Sequence, residues 1–165
     1  MAIDERSAGT RRATPIIVPV GAGTDLPFPT GAATVMLQGE QTGGTLTVIC
    51  TTEEPGDGPP PHVHANEDEL FLVIEGRISY WADGRWTEVA PGGIVYFPRG
   101  SVHCYRNVGT TPSRHWILTT PSGFEHFFAS YANELARSGG PDLRRIVAIS
   151  RDYGITYVEQ VPGCE

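Results

Sequence analysis

The chain has 165 residues, 39% of them hydrophobic and 19% charged, and a formal net charge of -7. That length suits one domain with a single sizeable core, and the acidic balance argues against nucleic acid as a partner. No run approaches the ~20 apolar residues of a membrane span. The acidic start "MAIDERSAGTRR" argues against a secretory leader, so the expected location is cytoplasmic.

Residues 1–14 read as a flexible arm, 15–121 as a β-barrel domain, and 122–165 as helices and a tail that pack on it. The 20 glycines and 14 prolines favour short strands joined by tight turns, an all-β fold. "AATVMLQG" and "GTLTVICTT" are the first strands. "EEPGDGPPPH" excludes helix and forms a rigid loop that aims His62. "ELFLVIEG" is apolar from Leu70 to Ile74, which predicts a strand buried on both faces. Leu70, Leu72 and Ile74 nevertheless alternate with Glu69, Phe71 and Val73, and an outer apolar face of this kind predicts a homodimer. "RISYWADGRWTEV" is a hairpin turning at Asp83-Gly84. "GGIVYFPRGSVHCYRNVG" is two strands around Pro98-Arg99-Gly100, the second carrying His103. "SRHWILTT" closes the β part. Ser122 and Glu125 then form a capping box for a helix whose face holds Phe124, Phe127, Phe128, Tyr131 and Leu135. A second helix over about Asp142 to Asp152 stops at Gly154, before a last strand "ITYV".

Chemistry concentrates in "HVHANEDE", residues 62–69. In a strand, His62 and His64 point to one face. Two imidazoles joined by a carboxylate from the next strand make a set that first-row divalent metals prefer. Cys50, Cys104 and Cys164 lack CxxC spacing and read as reduced thiols. Alternation turns Cys104 away from His103 as a small buried hydrophobe. His115 and His126 belong to no motif.

Residues 56–76 read Gly, five residues, His-x-His, four residues, Glu, six residues, Gly; residues 92–107 read Gly, five residues, Pro-x-Gly, two residues, His, three residues, Asn. The chain thereby resembles the cupin family, and in the style of its later segments "TTPSGFEHFF" and "YGITYV" it is similar to small single-domain cupins of the quercetin 2,3-dioxygenase-like type. The resemblance implies a double-stranded β-helix, or jelly-roll, barrel with a C-terminal helical segment. It implies that His62, His64, Glu69 and His103 hold one divalent transition metal: iron, nickel, manganese, cobalt or copper, or zinc if the chemistry is non-oxidative. Dioxygen would be the co-substrate, and a flavonol or a related small aromatic, enolisable compound the substrate. Glu69 is the expected catalytic base. Tyr105, on the face of His103, is a candidate for the substrate pocket, as are Phe71 and Phe127. A non-oxidative cyclase, isomerase or lyase is the alternative, and a small-ligand binding module the second alternative.

Overall fold

The computed structural model describes residues 14–26, 31–159 and 161. Nearly all of the expected arm, residues 1–13, lies outside them, as does Cys164. The strands are β1 (Thr24–Leu26), β2 (Ala32–Leu37), β3 (Thr47–Glu53), β4 (His62–His64), β5 (Asp68–Glu75), β6 (Ile78–Ala82), β7 (Arg85–Val89), β8 (Ile94–Phe97), β9 (Cys104–Asn107), β10 (Ser113–Thr120) and β11 (Ile155–Tyr157). The helices are α1 (Gly39–Thr42), α2 (Phe124–Ser138) and α3 (Leu143–Asp152). Neither β1 nor α1 is apparent in the sequence pattern, both being too short to show a period.

All strand pairs are antiparallel. One sheet runs β1-β2-β3-β10-β5-β8, and the smaller ones run β7-β6-β9 and β11-β4. A bridge between His62 and His103 links the two small sheets into one layer. Two layers facing each other, with side chains interdigitating between them, are the jelly-roll solution for antiparallel strands. The core between them holds Ile49, Phe71, Val73, Ile78, Tyr80 and Ile117. The hairpin turn is as expected, since Asp83 and Gly84 both have positive φ (49° and 84°). No helix among the described residues is long and apolar enough to cross a membrane.

Three expectations need correction. Strand β5 is not buried on both faces: Phe71 and Val73 are buried, whereas Leu70, Leu72 and Ile74 are only partly covered. Only its inward face meets the second layer. The Ser122–Glu125 capping box does not form either, because α2 starts after Gly123 with no side-chain cap. Glu125 turns inward instead and accepts from the Gly39 N–H at 2.7 Å, the Gly123 N–H at 2.9 Å and the Thr47 hydroxyl. A buried carboxylate with three donors has no reason to face solvent at a helix end. Finally, the cysteines are not all reduced. Cys104 is disulfide-bonded, while Cys50 is a free buried thiol. Alternation does send Cys104 away from the His103 face, and there it packs with Trp81 and Val161.

Candidate metal centre

The loop between β3 and β4 delivers the first two histidines, and its path is fixed by close contact with β9. A Cβ on Gly58 would lie 1.9 Å from the Tyr105 carbonyl oxygen, so only glycine lets the two backbones approach this closely. The Gly56 N–H donates to the Asn107 carbonyl, and the Asn107 N–H to the Asp57 carbonyl, each at 2.9 Å. The Asn107 side-chain amide also donates to the carbonyls of Glu53 (2.8 Å) and Thr111 (2.9 Å). Arg99 secures the opposite approach by donating from its backbone and from Nε to Asp68 Oδ1, both at 2.9 Å. This holds the 98–100 turn against the strand that carries Glu69.

The structure brings His62, His64, Glu69 and His103 together, all buried, with one nitrogen or oxygen from each lying within 4.8 Å of the others. The His103 Nε2 is 2.8 Å from Glu69 Oε2, and His64 Nε2 is 3.5 Å from the same oxygen. The remaining ring nitrogens explain why the Nε2 atoms converge. His62 Nδ1 meets the Pro60 carbonyl at 2.9 Å, and His103 Nδ1 meets the Ser101 carbonyl at 3.1 Å. A carbonyl only accepts, so each Nδ1 carries a proton and each ring turns its Nε2 toward the cluster, where His103 Nε2 hydrogen-bonds Glu69 Oε2. His64 Nδ1 faces the buried Glu67 carboxylate at 3.5 Å.

This donor set fits a divalent metal. Neither nitrogen of His64 has a hydrogen-bond partner although the residue is buried and each faces a carboxylate at 3.5 Å, and a buried imidazole without a hydrogen bond is costly. Three imidazoles and a carboxylate satisfy a first-row ion and leave positions open on an octahedral one.

The electrostatics match the crowding. Burial, then repulsion from His103 and His64, lowers the pKa of His62 to about 3. Burial also works against a charged His64, but Glu69 and Glu67 outweigh it and raise its pKa above the ordinary value. Burial pushes Glu69 upward, yet His64 and His103 outweigh it and hold the carboxyl at about 2. Ligands must be deprotonated to bind an ion, and both His62 and Glu69 are already poised that way.

Above the cluster lies a cavity of about 80 Å³. Phe71, Tyr105 and Phe127 all line it, together with Phe124, Phe128 and Tyr157. The Phe124 ring stands edge-on to His64 at 4.9 Å, so the first turn of α2 reaches the centre. His126 is exposed and takes no part.

Several residues here escape sequence reasoning. Glu67 lies within the acidic run after His64, but nothing in the run distinguishes it from Asp68. His115 is fully buried, with Nδ1 2.8 Å from the Tyr80 hydroxyl. Its inward position follows from the alternation of β10, and that was the available signal. Glu53 ends β3 and accepts from the Tyr105 hydroxyl at 3.1 Å.

A two-layer antiparallel barrel with a buried His-His-Glu-His cluster defines the class: a small barrel protein whose interior can hold a metal. Residues 50–128 match the family profile described as Cupin domain, so this part of the chain is similar to that family. Quercetin 2,3-dioxygenase of Bacillus subtilis (strain 168) is 28% identical over 116 residues, which are 70% of this chain and 34% of that protein. The chain thus spans about a third of that relative's length. Among solved structures, KdgF from Halomonas sp. superposes with a TM-score of 0.60 at 16% identity, covering 67% of this chain and 99% of that one. The polyketide cyclase RemF from Streptomyces resistomycificus gives 0.56 at 19% identity, covering 66% and 81%. These two likenesses concern the fold.

Proposed function

We propose that the chain is a metal-dependent enzyme, a quercetinase-like dioxygenase that opens a flavonol or a related enolisable aromatic compound with dioxygen. The observation that carries this reading is the buried four-residue donor set beneath an aromatic-lined cavity. The partial likeness to quercetin 2,3-dioxygenase supports the choice of reaction. The ion would be iron, nickel, manganese, cobalt or copper, and when bound it supplies Lewis acidity toward an enolic hydroxyl.

The chain's own residues do the rest. The Pro60 and Ser101 carbonyls hold the rings of His62 and His103 in register. Phe124, Phe127 and Phe128 exclude water and offer apolar area to a flat substrate. Glu69 accepts the substrate proton. Its carboxylate is a weak base while it faces His64 and His103, so it must swing clear of His103 Nε2 to become a useful one.

A second reading keeps the site and drops the oxygen: a cyclase, isomerase or lyase using zinc or another ion as a Lewis acid. It is favoured by the donor set itself, which leaves open positions on an ion whether or not that ion reacts with dioxygen. Reconstitution with each metal in turn, following flavonol loss, oxygen uptake and carbon monoxide release, decides between them. Coupled consumption and release supports the dioxygenase. Turnover of an aromatic polyketide without oxygen uptake moves the assignment to the second reading, and binding without turnover across all metals to a ligand-binding module.

We also propose that the chain forms a homodimer through the outer face of β5 and β8. Leu70 pairs with Tyr96 and Leu72 with Ile94 across these strands, and Ile94 and Tyr96 are 63% and 54% exposed. An apolar strip on an edge strand is normally covered. Sedimentation of the protein and of Ile94→Asp tests this.

A further inference from the structure

A second cavity, of about 290 Å³, adjoins the one over the candidate metal centre. Pro59, Tyr105, Phe127, Phe128 and Tyr157 line both, so the two share a wall. Their walls differ in chemistry. Over the cluster the lining beyond the donors is apolar and aromatic, whereas Glu53 and Asp57 line the second cavity along with the rings of Phe127, Phe128 and Tyr131.

Glu53 is the inward residue at the end of β3, beyond Ile49 and Thr51 on the same face. Its side chain keeps 17% exposure, and it borders the cavity. Around it stands a polar group that the reaction at Glu69 does not use. Tyr105 donates to Glu53 Oε1 at 3.1 Å, and His115 Nε2 lies 4.0 Å from the same atom. His115 Nδ1 is engaged with Tyr80, while its Nε2 is buried with no hydrogen-bond partner. Burial, partly countered by the Tyr105 hydroxyl and reinforced by Asp57, raises the pKa of Glu53. A carboxylate placed at such cost, beside Asp57 on a wall of rings and small side chains, needs a reason beyond packing.

We infer that the second cavity is a substrate subsite in which Glu53 accepts a hydrogen bond from a phenolic hydroxyl, at the end of the substrate remote from Glu69. The inference rests on the reading of the neighbouring cavity as the reactive one. The substrate class is therefore a hydroxylated aromatic whose reacting ring lies over the histidines and whose second, hydroxyl-bearing ring lies between the α2 aromatics and Glu53. Ring faces supply affinity, and the buried carboxylate supplies selection. Sites built to bond a hydroxyl discriminate strongly against analogues that lack it.

Fluorine NMR on the zinc-loaded full chain, with 4-fluorophenol and 4-fluoroanisole as probes, tests the subsite without requiring turnover. The phenol is expected to bind at least about tenfold more tightly than the anisole, with the preference lost in Glu53→Met. Glu53→Gln keeps the size and an accepting oxygen, so it should retain most of the preference and separate a lost hydrogen bond from a lost fold. Equal binding of both probes to the wild type, or a preference unchanged in Glu53→Met, would overturn the inference. A parallel measurement of flavonol turnover keeps the readings apart. Loss of phenol preference in Glu53→Met without any flavonol turnover upholds the subsite and rejects the flavonol; turnover with an unchanged preference does the reverse.

Discussion

Two groups of buried histidine share this barrel, and they differ in a way that burial does not reveal. His62 and His115 are both enclosed among aromatic rings, and in each case burial is the foremost cause that lowers the pKa to about 3. His62, however, points its free nitrogen at the nitrogens of His64 and His103 and at a carboxylate. His115 has one nitrogen on the Tyr80 hydroxyl and the other facing Glu53 from 4.0 Å. A buried imidazole therefore says little by itself. What marks a metal centre is convergence, with backbone carbonyls holding the far nitrogens of His62 and His103 so that the near ones point to one place.

The largest effect that would break this comparison is loss of metal. Substituting His62, His64 or His103 by Ala should reduce bound metal from about one ion per chain to background, whereas His115→Ala should leave it unchanged. Elemental analysis after dialysis reads both. Metal retained in all three cluster variants, or lost in His115→Ala, removes the distinction.

Next in size is Glu69→Gln, which keeps the shape and a weak oxygen ligand but removes the base. Three imidazoles should keep much of the metal, while turnover falls about a hundredfold or more. Near-normal turnover with metal bound assigns the proton transfer elsewhere. A smaller effect is expected at Glu67, which touches the cluster only through His64 Nδ1 at 3.5 Å. Glu67→Gln should weaken metal affinity by about tenfold, the low end of the range for such outer partners. Competition with a chromogenic chelator measures it, and an unchanged affinity makes Glu67 a bystander.

Only part of the cluster was legible locally. His62 and His64 share a strand face by period alone, whereas Glu69 and His103 joined them as ligands through the resemblance of residues 56–76 and 92–107 to the cupin motifs. The strands followed from alternation and turn chemistry, as at Asp83-Gly84. The rest depends on contacts between distant segments. Nothing around "ITYV" shows that β11 lies along β4 and pairs Tyr157 with His62 and Ile155 with His64. Glu125 has the spacing of a capping residue, and only the approach of Gly39 and Thr47 draws it inward. The Glu53 and His115 neighbourhood is built from β3, β6, β9 and β10, no two of which carry a local motif in common.

The last effect concerns His115 alone and bears on whether it is a neutral core residue. Its folded pKa is depressed to about 3 from an ordinary 6.5, so between those values the unfolded chain binds a proton that the folded chain refuses. Stability must then fall as pH drops through that window, with a slope approaching 1.4 kcal/mol per pH unit for this one group, or about 2 kcal/mol between pH 7 and 5. Other groups impose slopes of their own, His62 among them, so the informative quantity is a difference. Urea unfolding of the metal-free wild type and of His115→Gln, at pH 7, 6 and 5, should give stabilities that converge as pH falls. Glutamine can still bond the Tyr80 hydroxyl and does not titrate. Parallel curves would mean that His115 takes up its proton in the folded state, with Glu53 closing the 4.0 Å gap to receive it, and the contrast between the two histidine groups would then lie in their partners rather than in their charge.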